Sequence, residues 1–269
     1  MKQILVLLAC TAAWILPGCS DPDTSNTTST TVDTPAGEQA MLDAIAKYPD
    51  SLLLTENLLQ YYREAGNYDK AIAEINKKVA KDSLNPRVWD IKATLHLEDG
   101  DTTKAIDAFA HAVAIYPDPQ YIIALGTLFA GRKDPKALVM ADALIAGDKA
   151  MADKEAFFIK GLYYSNIQQY EKAIPFFDKS LTLSYTFMPA YTEKALALSA
   201  LNRNQEALAV MDKALTVQNN FDEGYYYRGR ILEKLGRTQE AIESYQTAMA
   251  YTSDYTEARD ALSRLGAKP

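Results

Sequence analysis

The sequence predicts an all-α fold built as a stack of about six helical hairpins, and three observations carry that prediction. Alanine recurs at Ala71, Ala105, Ala137, Ala173, Ala207 and Ala241, at spacings of 34, 32, 36, 34 and 34 residues. A turn signal precedes each of them by three to five residues: Gly66-Asn67-Tyr68, Gly100-Asp101, Asp134-Pro135, Gln168-Gln169-Tyr170, Asn202-Arg203-Asn204 and Gly236-Arg237. Apolar residues on both sides of these turns fall at i, i+3, i+4 spacing, as in Trp89, Ala93, His96 and then Ala105, Phe109, Ala112. Self-similarity at a fixed period of this length is the signature of stacked supersecondary units. A helix that ends so abruptly needs a left-handed residue past its last turn, which explains Gly or Asn in four of the six turns.

The hairpins follow in order over 52–85, 86–119, 120–153, 154–187, 188–221 and 222–255. With each recurrent Ala taken as place 20, place 8 holds Ala93, Gly126, Gly161, Ala195 and Gly229, allowing a one-residue slip in the third unit. Place 24 holds Ile75, Phe109, Ala141, Phe177, Met211 and Tyr245, and place 27 holds Ala112, Ser180, Ala214 and Ala248. Small residues at 8, 20 and 27 let two helices approach closely, while bulky ones at 24 fill the space between neighbours. These contents resemble the tetratricopeptide repeat family. The resemblance implies a right-handed α-solenoid of about six such hairpins over 52–255, with partial capping helices at both ends.

Both flanks continue the pattern. Residues 38 to 48 carry Met41, Ala44 and Ile45 where a lone second helix would have them, and Thr256 to Leu265 reads as a cap helix. Its apolar face is Ala258, Ala261, Leu262 and Leu265; Glu257, Arg259, Asp260 and Arg264 fall elsewhere. Two units depart from the pattern. The first has Leu59 and Lys78 where small residues belong. The third has irregular spacing with Gly131, Pro135 and Gly147, and is expected to be the loosest joint.

The N-terminal segment is of a different kind. Met1-Lys2 is a short basic start, and Ile4 to Ile15 is an apolar run too short for a spanning helix but suited to a secretory signal. Leu16-Pro17-Gly18-Cys19 follows and resembles the lipobox of bacterial lipoproteins; an ordinary signal peptide with an incidental Cys is the alternative. The resemblance implies removal of 1–18, lipidation of Cys19, and, with Ser20 rather than Asp after it, delivery to the outer membrane. Asp21 and Asp23 leave both faces of that membrane open. Residues 19–37 continue as SDPDTSNTTSTTVDTPAG after the Cys, a polar stretch expected to be a flexible tether ahead of a repeat domain over 38–265.

Composition excludes several classes of function. The chain of 269 residues carries 28 Lys plus Arg against 35 Asp plus Glu, a net charge of -7, which argues against nucleic acid and against a polybasic membrane patch. Two Cys and two His leave little for metal sites or thiol and imidazole chemistry. His96 and His111 have no ligand partner at metal spacing, and no phosphate loop, nucleophile elbow or carboxylate pair is present. No enzyme activity, cofactor or metal is expected.

The family resemblance implies a scaffold whose first helices line a groove for peptides, helices or loops of partners. Places 2, 5, 9 and 12 then give Arg63 and Asp90 in a polar N-terminal part. Phe158, Leu162 and Leu196 form an apolar centre, flanked by Tyr226 and Arg230. Such a face suits a segment with apolar anchors. The expected partners are envelope proteins, as for tetratricopeptide lipoproteins that serve outer-membrane assembly, pilus secretins or peptidoglycan hydrolases. Glycan or peptidoglycan binding by the Tyr-rich C-terminal repeats is the second expectation. Lys92, Lys160, Lys194 and Arg228 recur at place 7 and are expected to pair locally with acids rather than form a basic ladder. Of Tyr225, Tyr226 and Tyr227, the first is expected in the core and the second in the groove.

Overall fold

The computed structural model describes residues 35–147 and 152–268. The segment expected to be an export signal, Cys19 and the expected tether up to residue 34 lie outside them. The described residues form fourteen α-helices and no strand. The first unit of the chain, Met1–Tyr121, contains α1 (Pro35–Lys47), α2 (Leu52–Glu64), α3 (Tyr68–Lys81), α4 (Pro86–Glu98) and α5 (Thr102–Ile115). The second, Ile122–Pro269, takes in most of α6 (Pro119–Gly131), then α7 (Lys136–Ala146), α8 (Asp153–Asn166), α9 (Tyr170–Leu183), α10 (Met188–Ala200), α11 (Asn204–Val217), α12 (Asp222–Lys234), α13 (Thr238–Tyr251) and α14 (Thr256–Arg264). The division falls inside the third hairpin, in its first helix.

Each hairpin is closed by the same local device. The residues with positive φ are Gly66, Gly100, Lys133, Gln168, Asn202 and Gly236, one per turn, followed by Gly266 after the cap helix. In every case the next residue's N–H donates back across the turn, from Asn67 to Tyr62 O and from Arg237 to Leu232 O at 2.8 and 2.9 Å in the first and last hairpins. The third and fourth turns complete the set with Lys133 and Gln168, non-glycine residues whose left-handed backbone the residue type alone does not announce. Asn67 and Asp101 then cap the following helices, accepting from the N–H of Lys70 and Lys104.

Packing follows the repeat. All six recurrent alanines are fully buried. A Cβ on Gly161 would lie 2.5 Å from Phe177 Cε1, and one on Gly229 would lie 2.6 Å from Tyr245 Cε1, so in these two hairpins the ring at place 24 fills the space that a methyl at place 8 would need. In the first unit Leu58, Leu59, Tyr62, Ile75, Val88 and Leu95 form the core, with Met41, Leu42 and Ile45 of α1 laid against it. Leu59 is thus accommodated inside. Lys78 stays at the edge, its Nζ donating to Pro49 O at 2.7 Å. Helix α1 begins at Pro35, so residues 35–37, expected in the tether, belong to a helix. In the second unit the core runs through Tyr191, Leu198, Met211, Tyr227, Ile231, Leu232 and Tyr245 to Ala258, Ala261 and Leu262 of the cap helix, the apolar face read from sequence.

The place 7 cations pair locally: Lys160 with Asp142, Lys194 with Asp178 and Arg228 with Asp212, at 2.6, 2.5 and 2.7 Å. Lys92 instead lies 5.2 Å from the centre of the Trp89 ring. Trp89 also stacks on His111 at 4.2 Å, and its indole donates to Ser83 O. His96 is buried in the aromatic place it occupies, and burial lowers its pKa.

Candidate functional site

The first-helix face of the first unit is a closed ion network. Arg63 of α2 donates to Glu98 of α4 through both Nε and Nη2, and Gln60 holds its Nη1. Arg87 bridges Glu56 and Asp90, at 3.1 and 2.8 Å. Burial raises the pKa of Asp90 and the Arg87 charge opposes that rise. Both residues proposed for the polar part of the groove, Arg63 and Asp90, are therefore already engaged in intramolecular ion pairs. They make a charged surface whose opposite charges are paired with one another.

In the second unit the expected apolar centre is largely drawn inside. Phe158 is only 3% exposed, wedged between Phe177 and Phe187 with ring centres 5.9 and 5.1 Å away, and Leu162 is 9% exposed. These two do not offer the free apolar surface expected of them. The reason is lateral: place 5 of α8 meets Phe187, the last residue of its own hairpin and the N-cap of α10, which covers it. Leu196 is half-buried and rests on the core.

Tyr226 and Arg230 stand differently. Tyr226 is half-buried, with Tyr227, Tyr245 and Tyr255 ring centres 5.3, 5.8 and 5.3 Å away. The exposed Arg230 guanidinium lies 5.8 Å from the Tyr226 ring centre and 5.7 Å from that of Tyr227. Together with Glu233, Lys234 and Tyr245 they form one wall of a cleft of about 520 Å³, closed opposite by Glu257, Asp260, Ala261 and Arg264 of the cap helix. Arg264 donates twice to Glu233, at 2.6 and 2.8 Å, which joins the two walls and lowers the Glu233 pKa. Of the three consecutive tyrosines it is Tyr227, at 1% exposure, that is the interior one; Tyr225 is half-buried and stacks on the exposed Tyr251 at 5.8 Å. The assignment of Tyr225 to the core is thus corrected, because the helix turns its neighbour two places on toward α10.

Beside this cleft lie groups that residue type and repeat place did not single out. Glu193 of α10 has its pKa pushed up to about 7, first by burial and then by the charge of Glu223 on α12. Glu223 is itself raised, mainly by burial. Tyr227 has a buried hydroxyl with no hydrogen-bond partner, and both carboxylates act on it electrostatically. Nothing in one repeat announces this group, since it needs place 6 of one hairpin to meet place 2 of the next. Among the described residues there is no group of His, Cys, Asp and Glu that could hold a metal ion.

Stacked hairpins that keep a partly open first-helix face define the class of helical-repeat proteins. Three family models, each described as tetratricopeptide repeat, match residues 57–118, then 154–187 with 189–221, and 222–255. Together they take in more than half of the sequence, and the chain belongs to the tetratricopeptide repeat family. Proteins of this family generally mediate protein–protein interactions, and the fold is typically a non-enzymatic scaffold.

Among solved structures, the chain is similar to a tetratricopeptide repeat protein from Parabacteroides merdae ATCC 43184, with a TM-score of 0.68 and 18% identity over 86% of this chain and 91% of that one. It is also similar to PilW, a widely conserved type IV pilus biogenesis factor, with a TM-score of 0.62 and 21% identity over 79% of this chain and 100% of that one. A third likeness is to the C-terminal part of a repeat protein from Cytophaga hutchinsonii, with a TM-score of 0.53 and 18% identity over 84% and 93%. These likenesses establish the fold. No curated protein matches the chain.

Proposed function

We propose that this protein is an interaction scaffold, held by a lipid on Cys19 at the bacterial outer membrane, that docks segments of envelope proteins on the first-helix face of its second unit. The cleft between α12 and α14 carries the docking part of this reading. It combines the half-buried Tyr226 ring, backed by the buried Tyr245, with exposed Arg230, Glu257 and Asp260, the mixture of anchor surface and polar rim that recognition faces use. Tyr226 brings a large contact area at low entropy cost, because its neighbours already hold the ring. Support for the anchor comes from Leu16-Pro17-Gly18-Cys19 at the end of the apolar run. Among the described residues no helix is long and apolar enough to cross a membrane.

The test has two arms. Crosslinking in intact cells, followed by mass spectrometry, should lose its main partner when Tyr226→Ala and Arg230→Ala are combined in the full chain. An unchanged partner list would mean that the face is wrongly assigned. Cys19→Ser should move the protein out of the membrane fraction, and persistence there would overturn the lipid anchor.

A further inference from the structure

We propose that the edge of the first unit formed by the loops between hairpins rests on the lipid surface, with Tyr48, Leu53, Leu84 and Tyr116 entering the headgroup region. This rests on the lipid anchor proposed above and adds the face that the first unit turns to the membrane. Among the described residues of that unit the large apolar side chains that stay exposed are these four, each more than half exposed. All four fall where one hairpin ends or the next begins: Tyr48 after α1, Leu53 in the first turn of α2, Leu84 between α3 and α4, and Tyr116 at the end of α5. The opposite edge, at the turns Gly66-Asn67 and Gly100-Asp101, carries none of them. Exposed apolar surface gathered on one edge and rimmed by polar groups marks an interaction surface.

The loops are braced around these side chains. Asn85 donates to Asp82 and the Trp89 indole to Ser83 O, which fixes the loop that presents Leu84, the most exposed of the four. Lys78 donates to Pro49 O and Trp89 stacks on His111, tying the Tyr48 loop to α3 and the end of α5 to the start of α4. Tyrosine and leucine beside lysine are side chains that settle at a membrane interface, and Lys47 lies 5.3 Å from the Tyr48 ring centre. Lys81 pairs with Asp50, and Arg87 with Glu56 and Asp90. Apolar contact therefore carries the attraction, and a zwitterionic phospholipid suffices. Reach permits it: fifteen residues separate Cys19 from Pro35. Helix α1 carries the chain about 20 Å from there to the loop edge, within the roughly 50 Å that fifteen residues can span.

The probe is a vesicle of phosphatidylcholine and phosphatidylethanolamine carrying the lipidated chain, spin-labelled at one introduced cysteine, Ser83→Cys on the loop edge or Asp99→Cys on the turn edge. Relaxation of each label by a water-soluble nickel chelate and by lipid-soluble oxygen is measured. The label at 83 should lose access to the chelate severalfold relative to that at 99 and gain access to oxygen, at low and high salt alike. Leu53→Ser, Leu84→Ser and Tyr116→Ser combined, all at exposed positions, should return the label at 83 to the chelate; thermal unfolding confirms that each variant is folded. Equal access at both positions on vesicle-bound chain would overturn the membrane edge and leave the anchor standing. Loss of access to chelate and oxygen together would mean that protein covers the edge, and would equally overturn it. Failure of the chain to float with the vesicles would overturn the anchor and the edge with it.

Discussion

Arg228 on α12 donates through Nε to Asp212 on α11 at 2.7 Å, sixteen residues earlier. Lys194 repeats this pairing with Asp178. In the same register Lys92 answers to Asn76, which cannot supply the charge, and burial lowers the Lys92 pKa. Asn76→Asp should therefore add an ion pair to the first unit. For a surface pair the gain is about 0.3–1 kcal/mol, read as a rise in Tm of roughly 1–3 °C at low salt. It should vanish in 1 M NaCl, where the screening length falls to about 3 Å. No gain at low salt would show that the register does not bring places 76 and 92 together.

Gly161 and Gly229 are bare because a ring occupies the space a methyl would need. Gly161→Ala should destabilise by about 1–3 kcal/mol, since Phe177 is fully buried and cannot withdraw. At Gly126 the nearest atoms are Met140 Cβ at 3.0 Å and the Ile159 side-chain tip at 3.1 Å. There the helix preference for Ala, about 1 kcal/mol over Gly, offsets the crowding, and Gly126→Ala should stay within about 1 kcal/mol of the parent. Urea unfolding of the two variants side by side checks this, and a larger loss at 126 than at 161 would contradict the packing account.

Gln168 pays for its turn in backbone strain, with φ at +63° where three other hairpins use glycine. A left-handed non-glycine residue costs roughly 1–2 kcal/mol, part of which glycine returns as unfolded-state entropy. Gln168→Gly should raise stability by about 0.5–1 kcal/mol. The mirror experiment is Gly66→Ala, which should lose about 1 kcal/mol although nothing lies within 4 Å of the added methyl. Opposite signs in thermal unfolding are required of the pair.

Glu193 gives the fold a pH signature. Its folded pKa, pushed up to about 7 by burial and then by Glu223, exceeds the ordinary 4.5, so the folded chain holds the proton more tightly than the unfolded one. The associated stability is fully present below about pH 4.5 and is lost as pH rises through 7. Glu193→Gln removes the charge at every pH. It should therefore be close to neutral at pH 5 and stabilising at pH 8, by a few kcal/mol at most. A constant difference across that range, measured by urea unfolding, would mean that Glu193 titrates normally.

Much of the architecture was legible in the residues because a solenoid is held by contacts between neighbours in sequence. Ala71 through Ala241, the bare Gly161 and Gly229, and the apolar face of the cap helix are local features that repeat, so six copies amplify a signal one copy would leave ambiguous. Turn chemistry was legible where Gly or Asn carried it. Lys133 and Gln168 hid it, since there the fold imposes the left-handed backbone on residues that do not prefer it.

The face was legible only in outline. Repeat places put Tyr226 and Arg230 at the cleft, and the same rule put Phe158 and Leu162 in the open, where Phe187 and the core in fact cover them. It also named Tyr225 as interior in place of Tyr227. By itself, then, the sequence determined the hairpin period, the helices, the small-residue seams and the identity of the cap. Only the tertiary structure decided which side chains stay exposed, that Arg63 and Asp90 are already paired, and that burial, with the charge of Glu223, raises the Glu193 pKa. The physical reason is that burial and charge pairing depend on how one repeat is rotated against the next. That rotation is a property of two packed hairpins, and no single period of the sequence contains it.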